Sequence, residues 1–269
     1  MLTSTRLPGG LNWLDLGTPD VAAAGAFYRG LFGWEFASAG PEAGGYGFLR
    51  KDGRTVAAVG PLTEEGASSA WTVYFRTTDA DATARAVEAA GGVVRFPPTE
   101  VFTAGRMAGF TDPTGAEFAV WEPRDTDGLE LVNEPGSVSW IELYTTDGAA
   151  ATRFYGSVLA WEGTERPMGG GLVYTVVGPA GGEGSGGGGA GATAHGGILQ
   201  LQQVHLDAGS TSEWHPYFEV EDCDAALARA RELGATVLIP VMDAAGVGRL
   251  AMFLDPFGAP FAVLRSATR

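Results

Sequence analysis

The chain repeats itself, and that repeat constrains its fold more than any other feature. Trp13-Leu14-Asp15-Leu16, Asp20, Phe27-Tyr28 and Trp34-Glu35 return 127 positions later as Trp140-Ile141-Glu142-Leu143, Asp147, Phe154-Tyr155 and Trp161-Glu162. A second block holds Trp71, Tyr74-Phe75, Asp79, Gly91, Pro97, Gly105-Arg106 and Asp112-Pro113-Thr114-Gly115. It returns 143 positions later as Trp214, Tyr217-Phe218, Asp222, Gly234, Pro240, Gly248-Arg249 and Asp255-Pro256-Phe257-Gly258. Matching at fixed offsets means one structural unit used again. The second copy carries a net insertion of 16 residues (143 minus 127).

The boundaries follow: a first domain over 1–124, a polar linker over 125–136 and a second domain over 137–269. The insertion falls at about 178–197, where Gly-Ser-Gly-Gly-Gly-Gly stands at 184–189. Glycine runs have no side chains to pack and lose the most backbone entropy on ordering. A hairpin loop is the simpler reading, a lid over a site the other.

Each copy divides once more. Trp13 to Asp20 and Trp71 to Asp79 share a form: a short alternating run, an aspartate, then an alanine-rich stretch. Asp20, Asp79, Asp147 and Asp222 are placed to cap helix starts. Cys223, Ala226, Leu227, Ala230 and Leu233 fall at helical spacing, with Gly234 as the stop, so Cys223 reads as a small core residue. The Asp-Pro-x-Gly tetrads read as turns between strands. The repeating unit is strand, helix, then several strands, present four times.

Composition narrows the function. The net charge is −15 and Lys51 is the single lysine. Nucleic acids and anionic membranes are held by clustered basic residues, so neither is an expected partner. No stretch is apolar enough to span a bilayer, and residues 1–10 lack a secretion signal. Cys223 alone excludes an internal disulfide. These features fit a cytoplasmic location. No Gly-x-Ser-x-Gly, Gly-x-x-x-x-Gly-Lys or Cys-x-x-Cys motif appears.

Asp20 with Phe27-Tyr28, Leu31-Phe32-Gly33-Trp34, the Asp112-Pro-Thr-Gly turn with Glu117-Phe118, and their counterparts in the second copy resemble the vicinal oxygen chelate (glyoxalase/bleomycin-resistance/dioxygenase) superfamily. The match covers nearly the whole chain and is similar to two-copy actinobacterial members, some of which serve natural-product pathways. The resemblance implies an α+β fold of four βαβββ units in two tandem glyoxalase-like domains. Each would be a cupped, mixed or antiparallel sheet with its helices outside.

The resemblance also implies where a metal would be held. Metal-dependent members use a His, Gln or Glu in each unit's first strand and a carboxylate in the last. The first-strand positions here are Trp13, Thr72, Trp140 and His215, and the last-strand positions of the even units are Ala119 and Ala262. In the odd units the donors available nearby are Thr55, Gln200 and Gln202. A divalent ion needs several converging N, O or S donors. Indole and methyl groups supply none, so no metal and no cofactor are expected.

Strand alternation names the residues that would line the cups instead. His215, Tyr217 and Glu219 share one face, opposite Pro216, Phe218 and Val220. Thr72, Tyr74 and Arg76 hold the same places in the first copy. Trp13 with Asp15, and Trp140 with Glu142 and Tyr144, form the faces of the odd units, with Gln200 and Gln202 nearby. The tryptophans either stack on a ligand or fill the space of an absent metal. Asp15 and Glu142 are candidate general bases or simple hydrogen-bond acceptors. His215 is the leading candidate for acid–base work, beside Tyr217 and Glu219. Arg106 and Arg249 either hold an anion or pair with local carboxylates. His195 and His205 flank loop-like segments and read as solvated.

Two functions remain. One is a metal-independent protein that binds a small aromatic or polycyclic metabolite for sequestration, self-resistance or delivery. The other is a metal-free acid–base enzyme, drawing on His215, Glu142, Tyr217, Glu219 and Asp15. A metal-dependent lyase or dioxygenase comes third. The expected partner is a small molecule, and the expected state a monomer or homodimer.

Overall fold

A computed structural model describes residues 2, 6–64, 66–168, 172–180 and 194–267. The first copy runs β1 (Leu11–Thr18), α1 (Val21–Phe32), β2 (Glu35–Ser38), β3 (Gly47–Lys51) and β4 (Arg54–Pro61). It continues through β5 (Ala70–Arg76), α2 (Ala80–Ala89), β6 (Val93–Val101), β7 (Gly105–Thr111) and β8 (Glu117–Pro123). The second copy repeats this order. It begins with β9 (Val138–Thr145), α3 (Gly148–Leu159), β10 (Trp161–Pro167), β11 (Val173–Pro179) and β12 (Gly196–Gln200). A short helix, α4 (Gln203–Asp207), leads to β13 (Glu213–Glu219), α5 (Cys223–Glu232), β14 (Thr236–Ala244), β15 (Gly248–Leu254) and β16 (Pro260–Ser266). Most of the glycine-rich stretch, 181–193, lies outside the described residues.

Each copy makes one eight-stranded sheet, in the order β2-β3-β4-β1-β5-β8-β7-β6 and its counterpart β10-β11-β12-β9-β13-β16-β15-β14. The four strands that open a unit pair in parallel with the strand that closes it: β1 with β4, β5 with β8, β9 with β12 and β13 with β16. The other described pairings are antiparallel hairpins. The fold is α+β, with the same eight-stranded plan built twice.

The four longer helices that begin on an aspartate start as their sequence directs. Asp20, Asp79 and Asp147 accept from the amides of Ala23, Ala82 and Ala150 at 2.9, 2.8 and 2.9 Å. Asp222 accepts from Asp224 and Ala225. Each cap satisfies an amide that helix geometry leaves unpaired. Cys223 is buried, donates its thiol to the Arg249 carbonyl, and has its pKa pushed up to about 11 by burial. It is a core residue with an unreactive thiol.

Packing groups the chain differently from the sheets. One compact unit takes the described residues of Met1–Trp13, Val73–Gly128 and Trp140–Trp214; the other takes those of Leu14–Thr72, Leu129–Ser139 and His215–Arg269. Each unit thus joins a half of one copy to the complementary half of the other. In the first unit α2 lies against α3, and in the second α1 lies against α5.

The repeated motifs meet inside these units. In the first, the Asp112 Oδ1 of the Asp-Pro-x-Gly turn accepts from the amides of Thr114 and Ala116. Its Oδ2 accepts from the Tyr155 hydroxyl at 3.0 Å, and that hydroxyl accepts from Trp214 Nε1 at 3.0 Å. In the second unit Asp255 accepts from Phe257, Ala259 and Tyr28, and Tyr28 accepts from Trp71 Nε1 at 3.2 Å. The turn closes on Gly115 and Gly258, at φ +101° and +97°, where a side chain would be strained. Trp161 stacks on Tyr155 at 4.9 Å, and Trp34 on Tyr28 at 5.3 Å. The Phe-Tyr, Trp and Asp-Pro-x-Gly signatures are therefore parts of one buried contact made twice.

Tyr155→Phe deletes the central hydroxyl and leaves a buried carboxylate oxygen and an indole N–H unpaired. It is expected to lower stability by about 1–3 kcal/mol in urea unfolding.

Candidate functional site

Alternation along β9 buries Ser139, Ile141 and Leu143 on one face and turns Trp140, Glu142 and Tyr144 to the other. Trp140 and Tyr144 remain half-buried, and Glu142 is buried. A tyrosine from the next hairpin completes the group. Tyr174 on β11 accepts from Trp140 Nε1 at 2.8 Å and donates to Glu142 Oε2 at 3.3 Å. Burial raises the Tyr174 pKa well above its ordinary value, and the charge of Glu142 raises it further. The ring lies over Gly197 of β12, where any Cβ would collide with the hydroxyl.

The first copy makes a related pair. Tyr46 donates to Asp15 Oδ1 at 2.6 Å, and its ring lies over Gly60 of β4. The strand register makes the two tyrosines equivalent. Tyr174 stands opposite Leu199 of β12, which pairs with Tyr144. Tyr46 stands one residue before Gly47, which pairs with Val59, so it faces Gly60, the partner of Gly17. Trp13 is buried beside Asp15 along β1.

Sequence reasoning missed both tyrosines. They follow their carboxylates by 31 and 32 positions, so the constant offset is broken by one residue in this stretch. The available signal was the pair of glycines inside strands, which marks close approach of another group.

The other candidates are placed as follows. His215, Tyr217 and Glu219 lie on one face of β13, all buried. Tyr217 donates to Met252 Sδ at 3.8 Å, beside the parallel register of Tyr217 with Ala262. Glu219 accepts from the amide and hydroxyl of Ser266, at 3.0 and 2.7 Å. Arg76 donates to Asp127 through its carboxylate and its carbonyl, at 2.8 and 3.0 Å, and its guanidinium holds the Asp127 pKa down. Thr72 is half-buried and Tyr74 buried on β5. Gln200 is exposed, is in register with Thr145, and accepts from the Gly148 amide. It therefore lies on the face away from Glu142 and Tyr144. Gln202 is exposed at the start of α4. Arg106 pairs with Asp81, Glu100 and Glu122, and Arg249 with Asp224 and Asp243.

His195 corrects the sequence reading. It is fully buried, not solvated. Its ring stacks on Phe75 at 5.9 Å and meets Trp161 edge-on at 4.8 Å. Among the described residues neither ring nitrogen has a hydrogen-bond partner. The strand it precedes, not the glycine stretch before it, decides its environment. His205 is exposed.

Two models of one superfamily match the chain. The glyoxalase/bleomycin resistance protein/dioxygenase superfamily model matches residues 10–120, and a glyoxalase-like domain model matches residues 140–264. The chain belongs to the glyoxalase/bleomycin resistance/dioxygenase superfamily. It is 40% identical over 272 residues to the anthracycline biosynthesis protein DnrV of Streptomyces peucetius, covering 96% of this chain and 93% of that one. It is 39% identical to DauV of Streptomyces sp. (strain C5), also an anthracycline biosynthesis protein, with the same coverage. In fold it is similar to the Mn(II)-bound glyoxalase from Novosphingobium aromaticivorans, with a TM-score of 0.63, 17% identity and coverage of 96% and 83%. It is likewise similar to the 2,3-dioxygenase LapB from Pseudomonas sp. KL28, with a TM-score of 0.64, 14% identity and coverage of 95% and 91%.

The superfamily's metal centre does not fit the side chains present. Trp13, Thr72 and Trp140 stand at three first-strand positions, and the Trp140 N–H is committed to Tyr174. Ala119 and Ala262 lie in register with Tyr74 and Tyr217 on the last strands. Among the described residues no three His, Cys, Asp or Glu side chains converge as a metal site. His215 alone supplies too few donors.

Burial lowers the His195 pKa from 6.5 to about 3, so the folded chain holds the neutral imidazole while the unfolded chain takes up a proton below pH 6.5. This stability is present above pH 6.5 and is lost as pH falls towards 3. At pH 4.5 the loss is on the order of a few kcal/mol. His195→Leu, with an apolar residue as at the equivalent Val56, is expected to remove this part of the acid dependence of urea unfolding.

Proposed function

We propose that the chain is a metal-independent glyoxalase-like protein that holds a small aromatic or polycyclic metabolite of a natural-product pathway. Sequestration, self-resistance and delivery to another enzyme all fit such a role. The observation that carries this reading is the replacement of metal-donor positions by Trp13, Trp140, Ala119 and Ala262. Half-buried aromatic rings with polar groups beside them suit a flat ligand: the rings stack and the polar groups fix orientation. The 40% identity to DnrV supports the pathway class. No helix among the described residues is long and apolar enough to cross a membrane.

A second reading, a metal-free acid–base enzyme, draws support from the two tyrosine–carboxylate pairs. A carboxylate held against a hydroxyl can accept a proton from a bound substrate, and the hydroxyl can steady the charge that develops. Glu219 is less suited to this role, because both of its oxygens accept from Ser266.

Elemental analysis of the purified protein is expected to find divalent metal only at substoichiometric levels. Hydroxylated anthraquinones are expected to quench its tryptophan fluorescence saturably. Trp140→Phe is expected to weaken that binding by about 1 kcal/mol, roughly fivefold in Kd. A stoichiometric ion whose removal abolishes binding overturns the first reading. Turnover of the ligand that vanishes in Glu142→Gln, with binding retained, selects the second.

A further inference from the structure

Alternation along β3 buries Leu49 on one side and turns Phe48 and Arg50 to the other. That side is shared with Asp15, because Phe48 pairs with Ala58 and Ala58 with Asp15. Tyr46 meets Phe48 edge-on at 6.2 Å, and the Arg50 guanidinium lies 5.7 Å from the centre of the Phe48 ring. Arg50 is half-buried, its Nε is buried without an acceptor, and among the described residues it makes no ion pair. The other half-buried arginines, Arg76, Arg95, Arg106 and Arg249, each bond a carboxylate. Acids are not scarce: the chain has 32 Asp and Glu against 17 Lys and Arg. Glu35 stands opposite Arg50 in register, but its side is exposed and the two form no ion pair. Glu130 accepts from the Thr55 amide, which holds its carboxyl pKa down, and the Arg50 charge adds to this from beyond ion-pair distance.

A guanidinium carries five N–H groups in a planar fork that fits a carboxylate through two parallel bonds. Drawing such a group partly out of water without an acceptor is costly, and the cost calls for a reason. The second copy does not incur it. Glu35 pairs with Arg50, whereas Glu162, 127 positions later, pairs with Gly178. Phe48 is likewise replaced by Val176, which pairs with Gly197 in the row of Glu142. We propose that the β3 face of the first copy binds the acidic group of an aromatic carboxylic acid, Arg50 holding the carboxylate while the ring lies along Phe48. The proposal rests on the reading that the chain holds an aromatic ligand, and it adds the charge of that ligand and the copy that takes it.

Titration calorimetry with anthraquinone-2-carboxylate and with the neutral anthraquinone-2-carboxamide tests this. The carboxylate is expected to bind about tenfold more tightly than the carboxamide, and the advantage to shrink as salt is raised. Arg50→Gln is expected to bring the ratio to about one while carboxamide binding persists. Arg50→Lys keeps the charge but not the fork, and is expected to keep only part of the ratio. An arginine that merely supports the fold would weaken both compounds alike and leave the ratio intact. Equal affinities in the unmodified protein, or an unchanged ratio in Arg50→Gln, overturn the proposal and leave ring binding standing. Binding of neither compound overturns the ring-binding reading itself, and this proposal with it.

Discussion

The buried hydrogen bond between a helix tyrosine and a turn aspartate is the contact on which the rest of the structure depends. It is made twice, by Tyr155 with Asp112 and by Tyr28 with Asp255. Each aspartate fixes its own turn through its other oxygen, so one carboxylate joins helix position to hairpin geometry. Burial pushes both tyrosine pKa values well up, and a neighbouring carboxylate adds to this, so the hydroxyls remain donors at neutral pH. Withdrawn from water, such a bond is strong when complete and expensive when broken. The tryptophans that donate to these hydroxyls and the rings that stack around them then have fixed places.

The fold was legible because its determinants are local and repeated. The capping aspartates, the helical spacing from Cys223 to Leu233 and the turn tetrads each state their own geometry, and tandem copies state it again. What sequence could not supply was partnership across long separations. Tyr28 and Asp255 lie 227 positions apart, and both were read as parts of motifs with no stated link between them. Periodicity reports which side of an element is apolar, not which distant element covers it.

The candidate site was legible in part. Alternation placed Trp140, Glu142 and Tyr144 on one face, and Asp15 was singled out on the equivalent strand. Tyr46 and Tyr174 escaped, since they come from neighbouring hairpins whose lengths differ by one residue. His195 was misread for a related reason: a glycine-rich stretch suggests solvent, while the first residues of the following strand enter a core of aromatic rings. Gln200 was placed near the ligand because it falls on the strand that the resemblance implies closes the unit, but a strand sends adjacent residues to opposite sides, and its side chain meets the start of α3 instead.

The exchange of halves between the copies has a consequence for how this duplicated chain can change. Tyr28 finds its acceptor in the other copy, as does Tyr155, so neither copy carries a complete set of core contacts. Gene duplication ordinarily frees one copy to drift while the other keeps its role. Here a substitution in either copy falls on a core that both copies build, so the two halves can diverge in their sheet-face residues only while their interior motifs stay matched.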